Sequence, residues 1–99
     1  MKLFLDSANL REIEEALSWG VISGITTNPT LISRENVPFE ELVSQICRLL
    51  GNDPVSVEVI STNAGDMIEE ASRLAALAPN IVIKIPMGTE GLKAVYNLS

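Results

Sequence analysis

Four short apolar segments, each followed by a longer amphipathic one, organise this chain. The apolar segments are rich in β-branched residues and predict strands at Lys2–Asp6, Ile22–Asn28, Val55–Ile60 and Ile81–Pro86. The segments between them carry apolar residues at helical spacing. Strands that alternate with helices build a parallel sheet. The sequence therefore predicts one α/β domain, residues 1–99, made of four βα units.

Capping residues indicate where the predicted helices begin. Ser7 or Asn9 can cap the first helix, because both side chains accept hydrogen bonds from free amides. Pro38 suits the first turn of a later helix, after a loop or a short helix. Thr89 is expected to cap the last helix.

Two architectures fit four βα units. One is a small doubly wound open sheet, and the other is half of a (β/α)8 barrel, since a complete barrel takes about 250 residues. A nucleotide-binding doubly wound sheet would carry a glycine-rich phosphate loop after its first strand. The segment Asp6-Ser7-Ala8-Asn9 stands at that place instead. The expected fold is therefore the N-terminal half of a (β/α)8 TIM barrel.

Charge and cysteine content narrow the classes of partner. The net charge of −6 and the pI near 4.4 argue against nucleic acid and anionic membranes. The chain has no histidine, which excludes histidine metal sites, and we expect no metal. The single Cys47 fits a reducing cytoplasm, where we expect the protein to act.

The acidic side chains of the helices are expected on solvated faces: Glu12, Glu14, Glu15, Glu40, Glu41, Glu69 and Glu70.

Each predicted strand has a polar residue at or near its C-terminal end. These residues are Asp6, Asn28, Glu58 and Lys84. Side chains alternate along a strand, so all four can point to the inside of a barrel. They would then meet at one level at its C-terminal mouth, where (β/α)8 active sites lie. We therefore predict a candidate site at this edge of the sheet.

The chemistry of these residues suits a Schiff-base enzyme. The fourth segment is typical of a strand buried on both faces, which would bury Lys84. Burial lowers the pKa of a lysine, and a neutral amine can attack a carbonyl. Asp6 and Glu58 would move protons, and Asn28 would hydrogen-bond a substrate oxygen. The structural alternatives are a Glu58–Lys84 ion pair, a helix N-cap or a place beside the dipole of the following helix for Asp6, and an Asx-type turn before Pro29 for Asn28.

Three blocks make the sequence recognisable: Phe4–Asn9, Gly24–Leu31 and Val82–Pro86. They contain the Thr-Thr-Asn-Pro and Lys-Ile-Pro motifs and resemble the small bacterial transaldolases, a family that also contains fructose-6-phosphate aldolases. The resemblance runs the whole length of the chain. It implies a class I aldolase-type (β/α)8 barrel that works without a cofactor.

The resemblance also implies a role for each candidate residue. Lys84 is similar to the Schiff-base lysine on the fourth strand, and Asp6 to the acid/base aspartate on the first. Asn28 resembles the substrate-binding asparagine after the second strand, and Thr26 lies in the same motif. Glu58 resembles the glutamate with which transaldolases relay protons through a water. Fructose-6-phosphate aldolases carry a glutamine there.

The implied activity is transfer of a dihydroxyacetone unit from a ketose phosphate to an aldose phosphate, in the pentose phosphate pathway. One alternative is an enzyme like the fructose-6-phosphate aldolases. Another is a catalytically inert, self-assembling fragment whose polar residues are relics.

Length separates this chain from the family that it resembles. Members are about twice as long, as a complete barrel requires, and their other half would carry the phosphate-binding arginine. Half a barrel exposes two strand edges and one apolar sheet face, which invites pairing with another chain. We therefore expect the 99-residue chain to self-associate, by closing a barrel from two copies or by repacking its helices. We expect it to be inactive, or nearly so, toward sugar phosphates.

Overall fold

A computed structural model describes residues 2–98, so that Met1 and Ser99 of the predicted domain lie outside the described residues. The strands are β1 (Leu3–Asp6), β2 (Ile22–Thr26), β3 (Val55–Glu58) and β4 (Ile81–Lys84). The helices are α1 (Leu10–Ser18), α2 (Pro29–Ser33), α3 (Phe39–Leu50), α4 (Ala64–Ala75) and α5 (Thr89–Leu98). No helix within residues 2–98 is long and apolar enough to cross a membrane.

The strands form one parallel sheet in the order β1-β2-β3-β4. A doubly wound sheet would interrupt this order and place helices on both faces. Here the packed core lies on one face, beneath the helices. This arrangement confirms the predicted four βα units in the half-barrel order.

Local capping explains where two of the helices begin. Of the two candidate caps for α1, Asn9 takes the role, because its side-chain oxygen accepts the amide of Glu12 at 3.0 Å. The prediction that Thr89 caps α5 is wrong, since Thr89 is itself the first helical residue. The first turn is closed by the amide of Leu92, which donates to the carbonyl of Gly88 at 2.9 Å.

The strands β2, β3 and β4 end two residues earlier than predicted, and each ending has a chemical cause. Asn28 leaves the ladder because its side chain caps α2, accepting the amide of Leu31 at 2.9 Å. The amide of Ile60 is taken by the carboxylate of Glu70 at 3.0 Å. Pro86 has no amide hydrogen to donate to a ladder.

The two faces of the sheet differ in burial. One face forms the core with the buried Ile25, Val55 and Val57. The other face is open, and Phe4 is 47% and Val82 51% exposed. The prediction that β4 is buried on both faces is therefore wrong, because the helices of the described chain cover only one face of the sheet.

Polar side chains link the second, third and fourth βα units. The hydroxyl of Thr27 donates to the carbonyl of Ser56 at 2.8 Å, which joins the second unit to the third. Asn80, just before β4, donates to two carbonyls at the end of α3 and in the turn after it, at 3.2 and 3.0 Å. The carboxylate of Glu90 on α5 accepts the amide of Ala64 at 3.0 Å and so caps the start of α4. The units therefore share hydrogen bonds as well as a core.

We expect the 99-residue chain to self-associate through the open face and the outer edges of β1 and β4. The exposed side chains of Phe4 and Val82 are apolar surface that a second copy would cover. Sedimentation at micromolar concentration should show an oligomer for the unmodified chain. The variant Val82→Lys should shift it toward monomer, because a charge on this face must stay hydrated.

Val21→Lys is the matched control, since Val21 is a similarly exposed valine (54%) just before β2. The same charge there should leave the oligomer intact. A monodisperse monomer for the unmodified chain, or equal dissociation of both variants, would contradict assembly through the open face.

Candidate active site

The C-terminal ends of the strands carry four of the predicted side chains onto the open side of the sheet. Asp6 ends β1 and is exposed, and Thr26 ends β2 and is half-buried. Glu58 ends β3 and is half-buried, and Lys84 ends β4 and is exposed. The expectation of a buried Lys84 is therefore wrong, for the same reason as the expectation of a two-sided β4.

Strand register divides these side chains into two rows. Asp6 pairs with Thr26, which pairs in turn with Ser56, whereas Glu58 pairs with Lys84 one pleat further along. The rows are two residues apart, about 7 Å along the strands. Strands of a (β/α)8 barrel tilt, which offsets residues at equal height by about one residue per strand. The observed offset of two residues between β1 and β4 is of similar size. Side chains of both rows can therefore line the same end of a barrel.

One cleft brings together part of the predicted site. Its volume is about 730 Å³, and its wall includes Asn28, Glu58 and Lys84 together with Arg34, which the sequence did not single out. Asp6 and Thr26 do not line it. Within residues 2–98, no three histidine, cysteine or carboxylate side chains are grouped as a metal site would need. The cleft is thus a pocket with one amine, one guanidinium, one carboxylate and one amide.

Asn28 has a structural role as well as a place in the cleft. Its side-chain oxygen caps α2, so the predicted turn is the start of a short helix. Because the cap uses the oxygen, the NH2 group of Asn28 stays available to donate to a ligand.

Two structural alternatives, the Glu58–Lys84 ion pair and the N-cap at Asp6, do not describe this structure. The ion pairs within residues 2–98 are Arg73–Glu40 at 2.6 Å and Lys93–Glu90 at 3.1 Å. Glu58 and Lys84 are therefore neighbours on adjacent strands without forming an ion pair. Asp6 does not cap α1, since Asn9 does so. The roles of these residues as catalytic and binding groups stay predictions.

Glu70 is a buried carboxylate that was expected on a solvated face. That expectation is wrong because Glu70 falls on the apolar stripe of α4, three residues after Met67 and four before Leu74. It is only 6% exposed. Its carboxylate accepts the amides of Ile60 and Ser61 at 3.0 and 2.9 Å, and the hydroxyl of Ser61 at 2.7 Å. Glu70 thereby holds the loop that follows β3 at the mouth.

These contacts determine the charge of Glu70. Burial raises its pKa, but the hydrogen bonds from Ser61 and Ile60 and the charge of Arg73 outweigh burial, so the pKa lies below the ordinary value of 4.5. Because the folded-state pKa is depressed, the ionised carboxylate stabilises the fold above the unfolded-state value. That contribution is lost as the pH falls through the folded-state pKa.

We expect Glu70→Gln to lower the free energy of unfolding at pH 7 by about 2 kcal/mol, because the hydrogen bonds from Ile60 and Ser61 lose their charged acceptor. Glu69→Gln, at the exposed neighbouring position, should change it by less than about 0.5 kcal/mol. Urea unfolding at pH 7 and in acid measures both. The difference between the unmodified chain and Glu70→Gln should shrink below pH 4.5, and a difference that persists undiminished in acid would contradict the assignment.

A family model and several similar proteins point to the same family. Residues 3–99 match the family described as Transaldolase/Fructose-6-phosphate aldolase. A protein named probable transaldolase from Caldicellulosiruptor saccharolyticus is 59% identical over all 99 residues. Proteins of the same name from Desulfotalea psychrophila and Kosmotoga olearia are 54% and 52% identical. The match covers 45%, 46% and 45% of these three proteins, so the chain spans just under half their length.

Proposed function

The chain belongs to the transaldolase/fructose-6-phosphate aldolase family, and on that premise we propose that its cleft carries out Schiff-base chemistry on sugar phosphates. The observation that supports this is that Lys84, Glu58 and Asn28 line one cleft at the C-terminal ends of parallel strands. The active sites of (β/α)8 enzymes lie at this end of the barrel strands. Since the relatives are about twice as long, the complete reaction is proposed for a whole protein of their length.

The proposed reaction begins with the amine of Lys84. It attacks the carbonyl carbon of a ketose phosphate to give a carbinolamine, which loses water and becomes an imine. Glu58, on the adjacent strand, relays protons through a water during this dehydration. The bond between the α and β carbons of the imine then breaks; its electron pair forms the carbon–carbon double bond of an enamine on Lys84, and an aldose phosphate leaves. The enamine, which holds the dihydroxyacetone unit, adds to the aldehyde of a second aldose phosphate and becomes an imine again. Water hydrolyses this imine, which releases the new ketose phosphate and the free amine of Lys84.

Asp6 and Thr26 complete the proposed machinery from the neighbouring register row. Asp6 takes the proton of the hydroxyl on the carbon that becomes the new aldehyde, which drives bond cleavage. The hydroxyl of Thr26 and the NH2 group of Asn28 bind hydroxyls of the sugar chain. The rows are about 7 Å apart, a distance that a sugar chain of several carbons spans. The scheme uses no cofactor.

Glu58 favours transfer between two sugar phosphates over aldol addition of free dihydroxyacetone. Fructose-6-phosphate aldolases carry a glutamine at the corresponding position, as the resemblance implies, whereas transaldolases carry a glutamate. The proposed setting is the pentose phosphate pathway in the cytoplasm, where both substrates of the transfer are phosphate esters.

We expect Lys84 to be labelled when the chain is incubated with dihydroxyacetone and reduced with borohydride. Borohydride fixes an imine as a stable secondary amine, so intact mass should show one adduct and peptide mapping should locate it at Lys84. Lys84→Ala should lose the adduct. The matched control is Lys93→Ala, because Lys93 is an exposed lysine paired with Glu90 outside the cleft. Adducts spread equally over the lysines would contradict the proposal.

We expect the 99-residue chain to form this imine without sustained transfer between sugar phosphates. The chain spans just under half the length of its relatives, and the face of the sheet that carries the cleft is uncovered within residues 2–98. A coupled assay for aldose phosphate release measures the transfer. Steady turnover by the purified chain would overturn this expectation, and absence of any Lys84 adduct would favour the alternative of an inert, self-assembling chain.

A further inference from the structure

Glu70 is a buried carboxylate that the proposed reaction does not use. It lies on α4 and is 6% exposed, and its contacts reach the segment that leaves β3 at the mouth. Both of its carboxylate oxygens accept the amide of Ile60 at 3.0 Å. One of them also accepts the amide and the hydroxyl of Ser61, at 2.9 and 2.7 Å. Three donors on two adjacent residues therefore converge on one side chain.

The course of the strands explains why the amide of Ile60 needs this acceptor. The amide of Val59 donates to the carbonyl of Lys84 at 3.1 Å, so it faces β4. Amides point alternately to the two sides of a strand, so a regular continuation of β3 would turn the amide of Ile60 toward β2. However, β2 ends at Thr26, and the chain then leaves the sheet to begin α2. Glu70 therefore takes the place of a missing strand neighbour.

The segment that Glu70 binds comes directly after the proposed proton relay. Glu58 is two residues before Ile60 and lines the cleft together with Lys84. Val59, between Glu58 and Ile60, is buried in the core with 2% of its surface exposed. The backbone that follows Glu58 is therefore fixed twice, by the packing of Val59 and by the hydrogen bonds to Glu70.

The proposed dehydration step depends on where the carboxylate of Glu58 lies. In that step the carbon–oxygen bond of the carbinolamine breaks, and the leaving hydroxyl takes the relayed proton and departs as water. The electron pair of the nitrogen then forms the carbon–nitrogen double bond. A positioned acid–base group contributes about 10²–10⁴-fold to a rate, and a displacement of about 1 Å can remove about 10²-fold. A group that orders the backbone beside Glu58 can therefore change the rate without touching the substrate.

We propose that Glu70 is a positioning residue of the candidate site, which fixes Glu58 in the place from which it relays protons. It acts by binding the amides of Ile60 and Ser61, and the inference rests on the proposed function. Glu70 does not line the cleft itself, so it acts through the backbone and not by contact with a substrate.

Carbon NMR of the side-chain carboxyl groups tests the positioning without any reaction. In Glu70→Gln the carboxyl-carbon signal of Glu58 should shift, because the amides after β3 lose their charged acceptor. Ser61→Ala removes only the hydroxyl bond and should cause a smaller shift, which decides the test if Glu70→Gln is poorly folded.

Glu69→Gln is the matched control, because it makes the same change of charge at the exposed neighbouring position of α4. It should leave the carboxyl-carbon signal of Glu58 in place. A Glu58 signal that stays unchanged in Glu70→Gln and Ser61→Ala, or that shifts equally in Glu69→Gln, would overturn the proposal.

The rate of imine formation tests the consequence for the reaction. The chain is incubated with dihydroxyacetone, quenched with borohydride at timed intervals and analysed by intact mass. Glu70→Gln should slow the formation of the Lys84 adduct about tenfold. In a Glu58→Gln background the same change should alter the rate less than about twofold, because the group that Glu70 positions is absent. A general loss of stability would slow both backgrounds equally, and that result would overturn the proposal.

The two measurements separate this inference from the proposed function. If the unmodified chain gives no adduct at Lys84, the proposed function fails, whereas the carboxyl-carbon signal of Glu58 still decides whether Glu70 positions it. If the adduct forms and Glu70→Gln leaves its rate unchanged, the proposed function stands and only the positioning role of Glu70 fails.

Discussion

The parallel ladder of β1 to β4 is the constraint on which the rest of the structure depends. Because the strands pair in chain order and run in one direction, their C-terminal ends lie along one edge. Asp6 and Lys84, which are far apart in sequence, therefore lie at the same edge of the sheet. The pairing of the strands places them there, and no direct contact between the two side chains is needed. The alternation of side chains then sends one set into the core beneath the helices and the other to the open face. The alternation of side chains along parallel strands therefore accounts for both the core and the candidate site.

Much of this fold could be predicted because its signals are local. The βα repeat and the cap at Asn9 depend on residues a few positions apart. The ends of the strands could not be predicted as well, because their causes are distant in sequence. The amide of Ile60 leaves the ladder for Glu70, ten residues further along. The exposure of Lys84 was missed for a similar reason, since the apolar character of β4 does not say whether a second layer covers it.

The candidate site also has a part that the sequence predicts and a part that it does not. Asp6, Glu58 and Lys84 stand out because charged residues are rare at the ends of apolar strands. Glu70 lies on a helix, where acidic residues are usually solvated, although its spacing from Met67 was a usable signal. Arg34 had no comparable signal, because its place in the cleft follows from the geometry of α2 rather than from any periodicity. Sequence patterns are therefore least informative for charged residues on helices or directly after them, such as Glu70 and Arg34.

The hydrogen bonds between successive βα units have a consequence for how the domain opens. Glu90 holds the first amide of α4 from the following unit, so partial unfolding of α5 releases that amide as well. Thr27 joins the two central strands, which have a neighbour on each side, whereas β4 has a described neighbour only at β3. Amide exchange should accordingly be slowest in β2 and β3 and faster in the fourth unit. Lys84 belongs to the fourth unit, so we expect the surroundings of its amine to depend on what packs against the outer edge of β4.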